Sequence, residues 1–258
     1  MTVPRYLMIG APVTGVRTPP LLEAALAKAG RPATVGAVHV EPADLAAVMK
    51  NVRADRDILG LMVTMPHKNA IAPHLDRLTD EARASGSINA VKRMGAELVG
   101  AQFDGIALNN ALRSVGADLE GATVRLAGGG GAGLAIAFTL DASGARLTLV
   151  EPDASRRARA LSALPGLPLL ARDDGREADI LVNATPLGMT EGDPSPFTEA
   201  QVRSARLIAD IVADPHHTAL GTLAAAANRP FVTGRTMVEH QIGPITAWLL
   251  SDGEAQLT

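Results

Sequence analysis

The string Val124-Arg-Leu-Ala-Gly128-Gly129-Gly130-Gly131-Ala132-Gly133-Leu134-Ala135 follows an apolar run and opens an alanine-rich one, and its chemistry is phosphate binding. A dinucleotide's pyrophosphate needs a tight turn, a side-chain-free approach and the free N–H groups of a helix N-terminus. Gly128, Gly130 and Gly131 supply the first two, and the helix beginning at Gly131-Ala132 supplies the third. The plainer alternative is a merely tight strand-to-helix turn, and the surrounding strand–helix–strand pattern argues against it. The next strand candidate ends at Val150-Glu151, and the acid stands 151 − 130 = 21 positions after Gly130. That is near the offset of a carboxylate gripping a ribose 2′-hydroxyl, so Glu151 points to NAD. NADP stays possible, because Arg156 and Arg157 are close enough in sequence to meet a 2′-phosphate. Glu151 also reads as a cap for the helix that begins at Pro152.

A nicotinamide enzyme that oxidises an alcohol needs a group to take the hydroxyl proton as hydride leaves. Lys68, in Val63-Thr64-Met65-Pro66-His67-Lys68, lies just past a strand candidate, where the proline ends the strand. Desolvation suits a lysine to proton transfer, although a lysine after a strand is ordinarily a solvated surface residue. Asp104, in Gln102-Phe103-Asp104-Gly105, opens a helix candidate and reads equally well as its N-cap. Spacing alone does not choose between these readings.

The elements that must position these residues alternate between β-rich apolar runs and amphipathic, alanine-rich segments, so the fold class is α/β. In the first hundred residues the strands are expected at Tyr6 to Ile9, Thr34 to Val40 and Ile58 to Val63, with helices at Pro19 to Ala29 and Pro42 to Val52. Ser87 to Gln102 reads as a hairpin turning at Met94-Gly95-Ala96. A helix from Asp104 to Val115 leads to a second α/β unit. Its strands are expected at Thr123 to Ala127, Arg146 to Val150, Ile180 to Asn183 and Leu207 to Ile211, and its helices at Gly131 to Ala142, Ala154 to Ala163 and Thr218 to Ala227. A last helix, Thr236 to Leu250, has no strand after it and is expected to pack back on the first unit, with the ligand cleft beside the connecting helix.

Composition sets the outer limits. Over 258 residues, 24 Lys+Arg against 27 Asp+Glu leave a net charge of −3, and aromatics are only 2%. There is no basic footprint and few rings for stacking, so nucleic acid is not an expected partner. No long apolar run suggests a membrane span, and the start lacks a signal-peptide pattern, so a cytoplasmic protein is expected. With no cysteine there is neither disulfide nor thiolate chemistry. No acid–histidine cluster has ligand spacing, and no metal is expected.

Taken in order, Gly10-x-Pro12, Val63-Thr64-x-Pro66-x-Lys68, Gly86-x-x-Asn89, Asp104-Gly105, the glycine turn, Asn183-Ala184-Thr185-Pro186-x-Gly188-Met189, Asp210 and Gly234-x-x-Met237-x-x-x-Gln241 resemble shikimate dehydrogenase and its shikimate dehydrogenase-like relatives. The resemblance covers roughly residues 5 to 250. It implies two domains: an N-terminal α/β substrate domain, residues 1–103, completed by the C-terminal helix, residues 235–258, and an inserted Rossmann-type NAD(P)-binding domain, residues 104–234. Lys68 and Asp104 match the family's catalytic lysine and aspartate, and Thr64, Asn89 and Gln241 match contacts to ring hydroxyls. Asn183, Ala184, Thr185, Ile211, Gly234 and Met237 match positions lining the cofactor.

The chain departs from that pattern at the substrate's acidic end. Family members carry Ser-x-Ser-Pro where this sequence has Val16-Arg17-Thr18-Pro19, a tyrosine where Ala213 stands, and an asparagine where Met62 stands. The expected substrate-binding set is therefore Val16, Thr18, Met62, Thr64, Asn89 and Gln241, and the expected substrate is a small cyclic hydroxy acid or polyol other than shikimate. Genuine shikimate or quinate oxidation, with Thr18 and Arg17 taking over the carboxylate, is the second reading. A noncatalytic dinucleotide-binding regulator is the third. Arg17 is expected in solvent, Arg235 and His216-His217 are weaker candidates, His67 reads as a surface histidine rather than an electrostatic tuner of the neighbouring Lys68, and Met237 and Trp248 read as one packed helix face. Whether the protein is a monomer or a homodimer is open at this level.

Overall fold

The computed structural model describes residues 3–213 and 218–251. The chain divides into two compact units, one of residues 1–103 with 241–258 and one of residues 104–240.

The first unit contains β1 (Arg5–Gly10), α1 (Thr18–Lys28), β2 (Thr34–His39), α2 (Leu45–Ala54), β3 (Ile58–Val63) and α3 (His67–Ala70). It continues with β4 (Arg77–Leu78), α4 (Asp80–Ser85), β5 (Ala90–Met94) and β6 (Glu97–Ala101). Its sheet runs in the order β2-β1-β3-β5-β6-β4. β1 pairs parallel with β2 and β3, and β5 pairs antiparallel with β3 and β6. Ile9, Leu61, Val63, Val91 and Leu98 from the sheet pack on Met49 and Val52 of α2 and on Ile71 and Ile88. This burial on one face holds the strand ends in register.

The second unit contains α5 (Asp104–Ser114), β7 (Thr123–Ala127), α6 (Gly131–Ala142), β8 (Arg146–Val150), α7 (Ala154–Ala163), β9 (Leu169–Leu170), β10 (Ile180–Asn183) and α8 (Glu199–Ser204). β11 (Leu207–Asp210), α9 (Ala219–Ala226), β12 (Phe231–Thr233) and α10 (Gly234–Leu250) follow. All six strands are parallel, in the order β12-β11-β10-β7-β8-β9. Counted from β7 that is the doubly wound Rossmann order, with its switch point between β7 and β10. Both faces are covered, as an all-parallel sheet requires. Leu126, Leu149 and Val182 face a core with Leu108, Leu112 and Leu134, while Leu181 and Ile208 face one with Phe197, Val202 and Leu220. Buried polar side chains interrupt the apolar strands, among them Arg125, Asn183 and Asp210. Arg125 is buried on β7, with Nη1 3.1 Å from Asp173 and 2.8 Å from Asp174, an ionic rather than well-aligned hydrogen-bonded pairing.

The α/β class and the long elements fall where the sequence pattern puts them, with local differences. The segment expected as a helix from Pro42 splits into a 3₁₀ turn, Pro42–Asp44, and α2. The strands β4, β9 and β12 and the helices α3, α4 and α8 are too short to leave a periodic signal in the sequence. The strand expected to reach Ile211 ends at Asp210, and α10 begins two residues before Thr236. Met237 and Trp248 are both buried on α10, but not in one core. Met237 lies in the core of the second unit, and Trp248 belongs to the segment of α10 that joins the first. Among the described residues, no helix is long and apolar enough to cross a membrane.

The end of α10 is held by a buried cation. Lys92, on β5, donates to the Trp248 carbonyl at 2.9 Å, to Ser251 Oγ at 3.1 Å and to the Ser251 carbonyl, with its ammonium 5.8 Å from the Trp248 ring centre. A lysine at the last carbonyls of a helix satisfies groups that the helix leaves open. Trp248 in turn meets Phe103 edge to face, with ring centres 5.5 Å apart. Replacing so enclosed a ring with a methyl group loses its packing and leaves a cavity. We expect Trp248→Ala to lose about 3–5 kcal/mol of stability, measured by urea unfolding followed in the far-ultraviolet circular dichroism; a loss within experimental error would show that Trp248 does not carry this packing.

Candidate functional site

In the first unit the candidate groups gather where β1, β3 and β5 meet. Beyond β3 the chain lies against the exit of β1: Thr64 N–H donates to the Ile9 carbonyl at 3.0 Å and Ala11 N–H to the Met65 carbonyl at 3.0 Å. Gly10 is needed for this approach, because a Cβ there would overlap the Thr64 methyl. α3 then turns Lys68 away from the strand line, and the Lys68 carbonyl accepts from Ile88 N–H at 2.7 Å. Asn89 follows immediately and is buried. Its N–H donates to the Ala101 carbonyl at 3.0 Å, its carbonyl accepts from Val63 N–H at 2.9 Å, and its Oδ1 accepts from Phe103 N–H at 2.9 Å. Thr64, Lys68 and Asn89 therefore lie on segments bonded to one another, through Val63 N–H to the Asn89 carbonyl and Ile88 N–H to the Lys68 carbonyl.

Gln241, on α10, is buried, as are Met62 and Thr18, while Val16 is half-buried. Arg17 is exposed and precedes the first turn of α1. His67 departs from the surface reading: it is 1% exposed, with Nε2 2.7 Å from the Val40 carbonyl. His216 and His217 lie outside the described residues.

Asp104 opens the second unit as the first helical residue of α5, inside the turn rather than in the cap position, and it is buried. There its carboxylate benefits from the N-terminal end of the helix dipole. The glycine that follows it is required for packing: a Cβ on Gly105 would overlap Thr139 and the Ala135 carbonyl of α6.

The glycine turn joins β7 to α6 beside the switch point. Gly128 has φ +99°, a left-handed conformation open to glycine, and a Cβ there would press on the Ala184 carbonyl. Gly133 packs its bare α-carbon on the Gly128 carbonyl, where any Cβ would collide. Sequence reasoning passed over this residue, although the spacing Gly128-x-Gly130-x-x-Gly133 signals it. Gly130 is different. It is the N-cap of α6, and a Cβ there would project into open space. That space lies at a helix N-terminus whose first N–H groups have no intrahelical partner, so the turn fits a pyrophosphate. Gly131 and Ala132 form the first helical turn and are half-buried.

Glu151 does more than stand at the end of β8. Its buried carboxylate accepts from Gly129 N–H at 2.7 Å and from Asp153 N–H at 2.8 Å, and so braces the turn. The cap of α7 is Asp153, whose side chain accepts from Arg156 N–H at 2.8 Å, rather than Glu151. Arg156 Nη1 is 3.9 Å from Glu151, and Arg157 donates to the Glu151 carbonyl at 2.9 Å.

On the other side of the switch point, Ala184 N–H donates to the Ala127 carbonyl at 2.7 Å. Asn183 is fully buried: its Nδ2 donates to Asp210 Oδ1 at 3.0 Å and to the Leu187 carbonyl at 2.9 Å, and its Oδ1 accepts from Thr185 N–H at 3.0 Å. Asp210 also accepts from Thr218 Oγ1 at 2.7 Å. Burial pushes its carboxyl above the usual aspartate range, against the lowering effect of those hydrogen bonds. Ile211 and Gly234 come together where α10 starts, since a Cβ on Gly234 would press on the Ile211 and Val212 carbonyls, and Met237 is buried one turn on. Arg235 Nε reaches the Ala213 carbonyl at 3.4 Å, and Ala213 is exposed. Among the described residues, no group of three or more histidine, cysteine or acidic side chains is arranged to hold a metal ion.

Gly130 and Gly133 make a contrasting pair. Gly130→Ala adds a methyl to open space and should leave the melting temperature near that of the parent while weakening dinucleotide binding about tenfold or more. Gly133→Ala should lower both, because its methyl has nowhere to go. Calorimetric titration beside thermal melting checks this, and undiminished binding by Gly130→Ala would place the phosphates elsewhere.

A family model described as the shikimate dehydrogenase substrate binding domain matches residues 8–91. The shikimate dehydrogenase (NADP(+)) of Rubrobacter xylanophilus is 36% identical over 247 residues, covering 91% of this chain and 86% of that protein. The structure of a shikimate 5-dehydrogenase from Thermus thermophilus, in complex with NADP(H) and shikimate, superimposes with a TM-score of 0.84 at 29% identity, covering 96% of this chain and 93% of that one. A ligand-free 5-ketofructose reductase of a Gluconobacter species superimposes with a TM-score of 0.82 at 26% identity, over 96% and 93% of the two chains. With the Rossmann order and glycine turn of its second unit, the chain thus belongs to the shikimate dehydrogenase family of NAD(P)-dependent oxidoreductases acting on a secondary alcohol.

Proposed function

We propose that this protein interconverts a secondary alcohol and a ketone on a small hydroxylated ring, and that the ring need not carry the carboxylate of shikimate. When bound, the dinucleotide supplies the nicotinamide that accepts the hydride from the carbinol carbon. Lys68 Nζ takes the hydroxyl proton as that hydride leaves, and Asp104 orients the hydroxyl. Thr64, Asn89 and Gln241 bind further ring hydroxyls. The observation that supports this reading best is the direct bonding of the Lys68 turn to the segment leading into Asn89, through Ile88 N–H and the Lys68 carbonyl. Gly128, Gly130, Gly131 and Ala132 hold the pyrophosphate, and Ala184, Thr185, Ile211, Gly234 and Met237 line the rest of the dinucleotide. Asn183 serves that site by shaping its loop, since its amide is already engaged within it.

Support for an altered acidic end comes from Val16, Met62 and Ala213, none of which offers a side-chain hydrogen bond, and from the exposure of Arg17. The 5-ketofructose reductase, named for a ketone of a neutral sugar, is a fold relative consistent with such a substrate. The second reading, shikimate itself, is favoured by the name of the 36% identical relative. Kinetics with shikimate, quinate and neutral cyclic polyols decide between them. Each lost hydrogen bond to an ionic group is worth roughly 1.5–3 kcal/mol, so neutral rings should surpass shikimate in kcat/KM, and a clear preference for shikimate would sink the altered site. In the same assays Lys68→Ala should lower kcat by about 10²–10⁴-fold with dinucleotide affinity kept; undiminished turnover would remove Lys68 from the chemistry.

For the 2′ group of the cofactor, the names of the relatives favour NADP, and so does the nearness of Arg156. The Glu151 carboxylate supports NAD, because its charge opposes a 2′-phosphate. Glu151→Gln keeps the size of the side chain and an acceptor for Gly129 N–H while removing the charge. It should shift the ratio of kcat/KM for NADP over NAD upward by about tenfold; an unmoved ratio would end the charge argument.

A further inference from the structure

A single helical turn such as α3 has no stability of its own, since nucleation costs more than its few hydrogen bonds return. Its orientation, and with it the direction of Lys68, must come from bonds to the rest of the first unit. Three consecutive residues provide them. His67 Nε2 bonds the Val40 carbonyl at 2.7 Å, the Lys68 carbonyl accepts from Ile88 N–H at 2.7 Å, and Asn69 Nδ2 donates to the Gly86 carbonyl at 2.5 Å. The anchors lie on two segments, one just past β2 and one between α4 and β5. The His67 bond is buried, and its acceptor sits just past β2, where Val40 N–H in turn binds the Gly10 carbonyl at 2.9 Å. A carbonyl partner requires that Nε2 carry the proton. Without that donor the turn loses its buried anchor and the Val40 carbonyl loses a partner inside the protein.

We propose that His67 is a positioning residue for the reaction: its Nε2–H bond to the Val40 carbonyl fixes the turn that carries Lys68 and so sets the aim of the Lys68 ammonium group. The proposal rests on the reading of Lys68 as the proton acceptor. It differs from a packing role in one respect that can be measured, because it depends on a donor at one particular distance from the backbone. Glutamine places an N–H about as far out as imidazole Nε2, whereas asparagine falls one methylene short.

The experiment compares His67→Gln, His67→Asn and His67→Phe with the parent and with Lys68→Ala, in the full-length protein and with the best substrate of the ring panel. His67→Asn and His67→Phe should lower kcat by about tenfold or more, with dinucleotide affinity kept and a larger solvent deuterium isotope effect on kcat, as proton transfer becomes rate-limiting. His67→Gln should restore most of the turnover and the parental isotope effect. Equal losses in the glutamine and asparagine variants, or parental kcat and isotope effect in both, would overturn the proposal, and this pair keeps the test decisive if His67→Phe fails to fold. If Lys68→Ala itself retains turnover, the proton-acceptor reading falls and the positioning role falls with it; if Lys68→Ala is inactive while the asparagine variant is unaffected, only the role of His67 is refuted.

Discussion

The hydrogen bonding of Asn89 is the constraint on which the first unit's chemistry depends. One residue satisfies Val63 N–H with its carbonyl, the Ala101 carbonyl with its N–H, and Phe103 N–H with its side chain. Val63 directly precedes Thr64, and Phe103 directly precedes Asp104. The exits of β3 and β6 are thereby tied to one buried amide. An aspartate at this position would bring a charge into a buried site, and an alanine would leave the Phe103 N–H without its side-chain acceptor. The side chain that the family resemblance assigns to a ring hydroxyl is thus also part of the frame that locates its neighbours.

The second unit solves a comparable problem with a carboxylate. A glycine turn is open to phosphate because it lacks side chains, and for the same reason it has little to hold its own shape. Glu151 supplies the missing restraint through Gly129 N–H and Asp153 N–H, from the strand next to β7. Across the switch point the loop after β10 is tied by Asn183 to Asp210, at the end of the strand beyond. Gly128 lies between these two arrangements, its α-carbon against the Ala184 carbonyl. The ends of four adjacent strands, β8, β7, β10 and β11, are therefore tied by polar bonds around the glycine turn.

Much of this was legible in the sequence, and what was not has physical causes. The strands at Thr123–Ala127, Arg146–Val150 and Ile180–Asn183 stood out because a sheet buried on both faces writes short, dense apolar runs. The glycine turn stood out because few other functions need so many glycines between a strand and a helix. The burial of His67 was hidden, since its partner is a main-chain carbonyl 27 positions away and carbonyls leave no mark on a sequence. The bracing role of Glu151 was hidden for the same reason. The division of α10 between two cores, with Met237 in one and Trp248 in the other, was hidden because helical periodicity gives the direction of a side chain without saying which core receives it.

Trp248 is the chain's only tryptophan, and it is enclosed between the Phe103 ring and the Lys92 ammonium. The protein therefore carries one built-in optical reporter, seated where the C-terminal segment closes the first unit. Its ultraviolet emission reports on the attachment of that segment, while circular dichroism reports on the helices of both units.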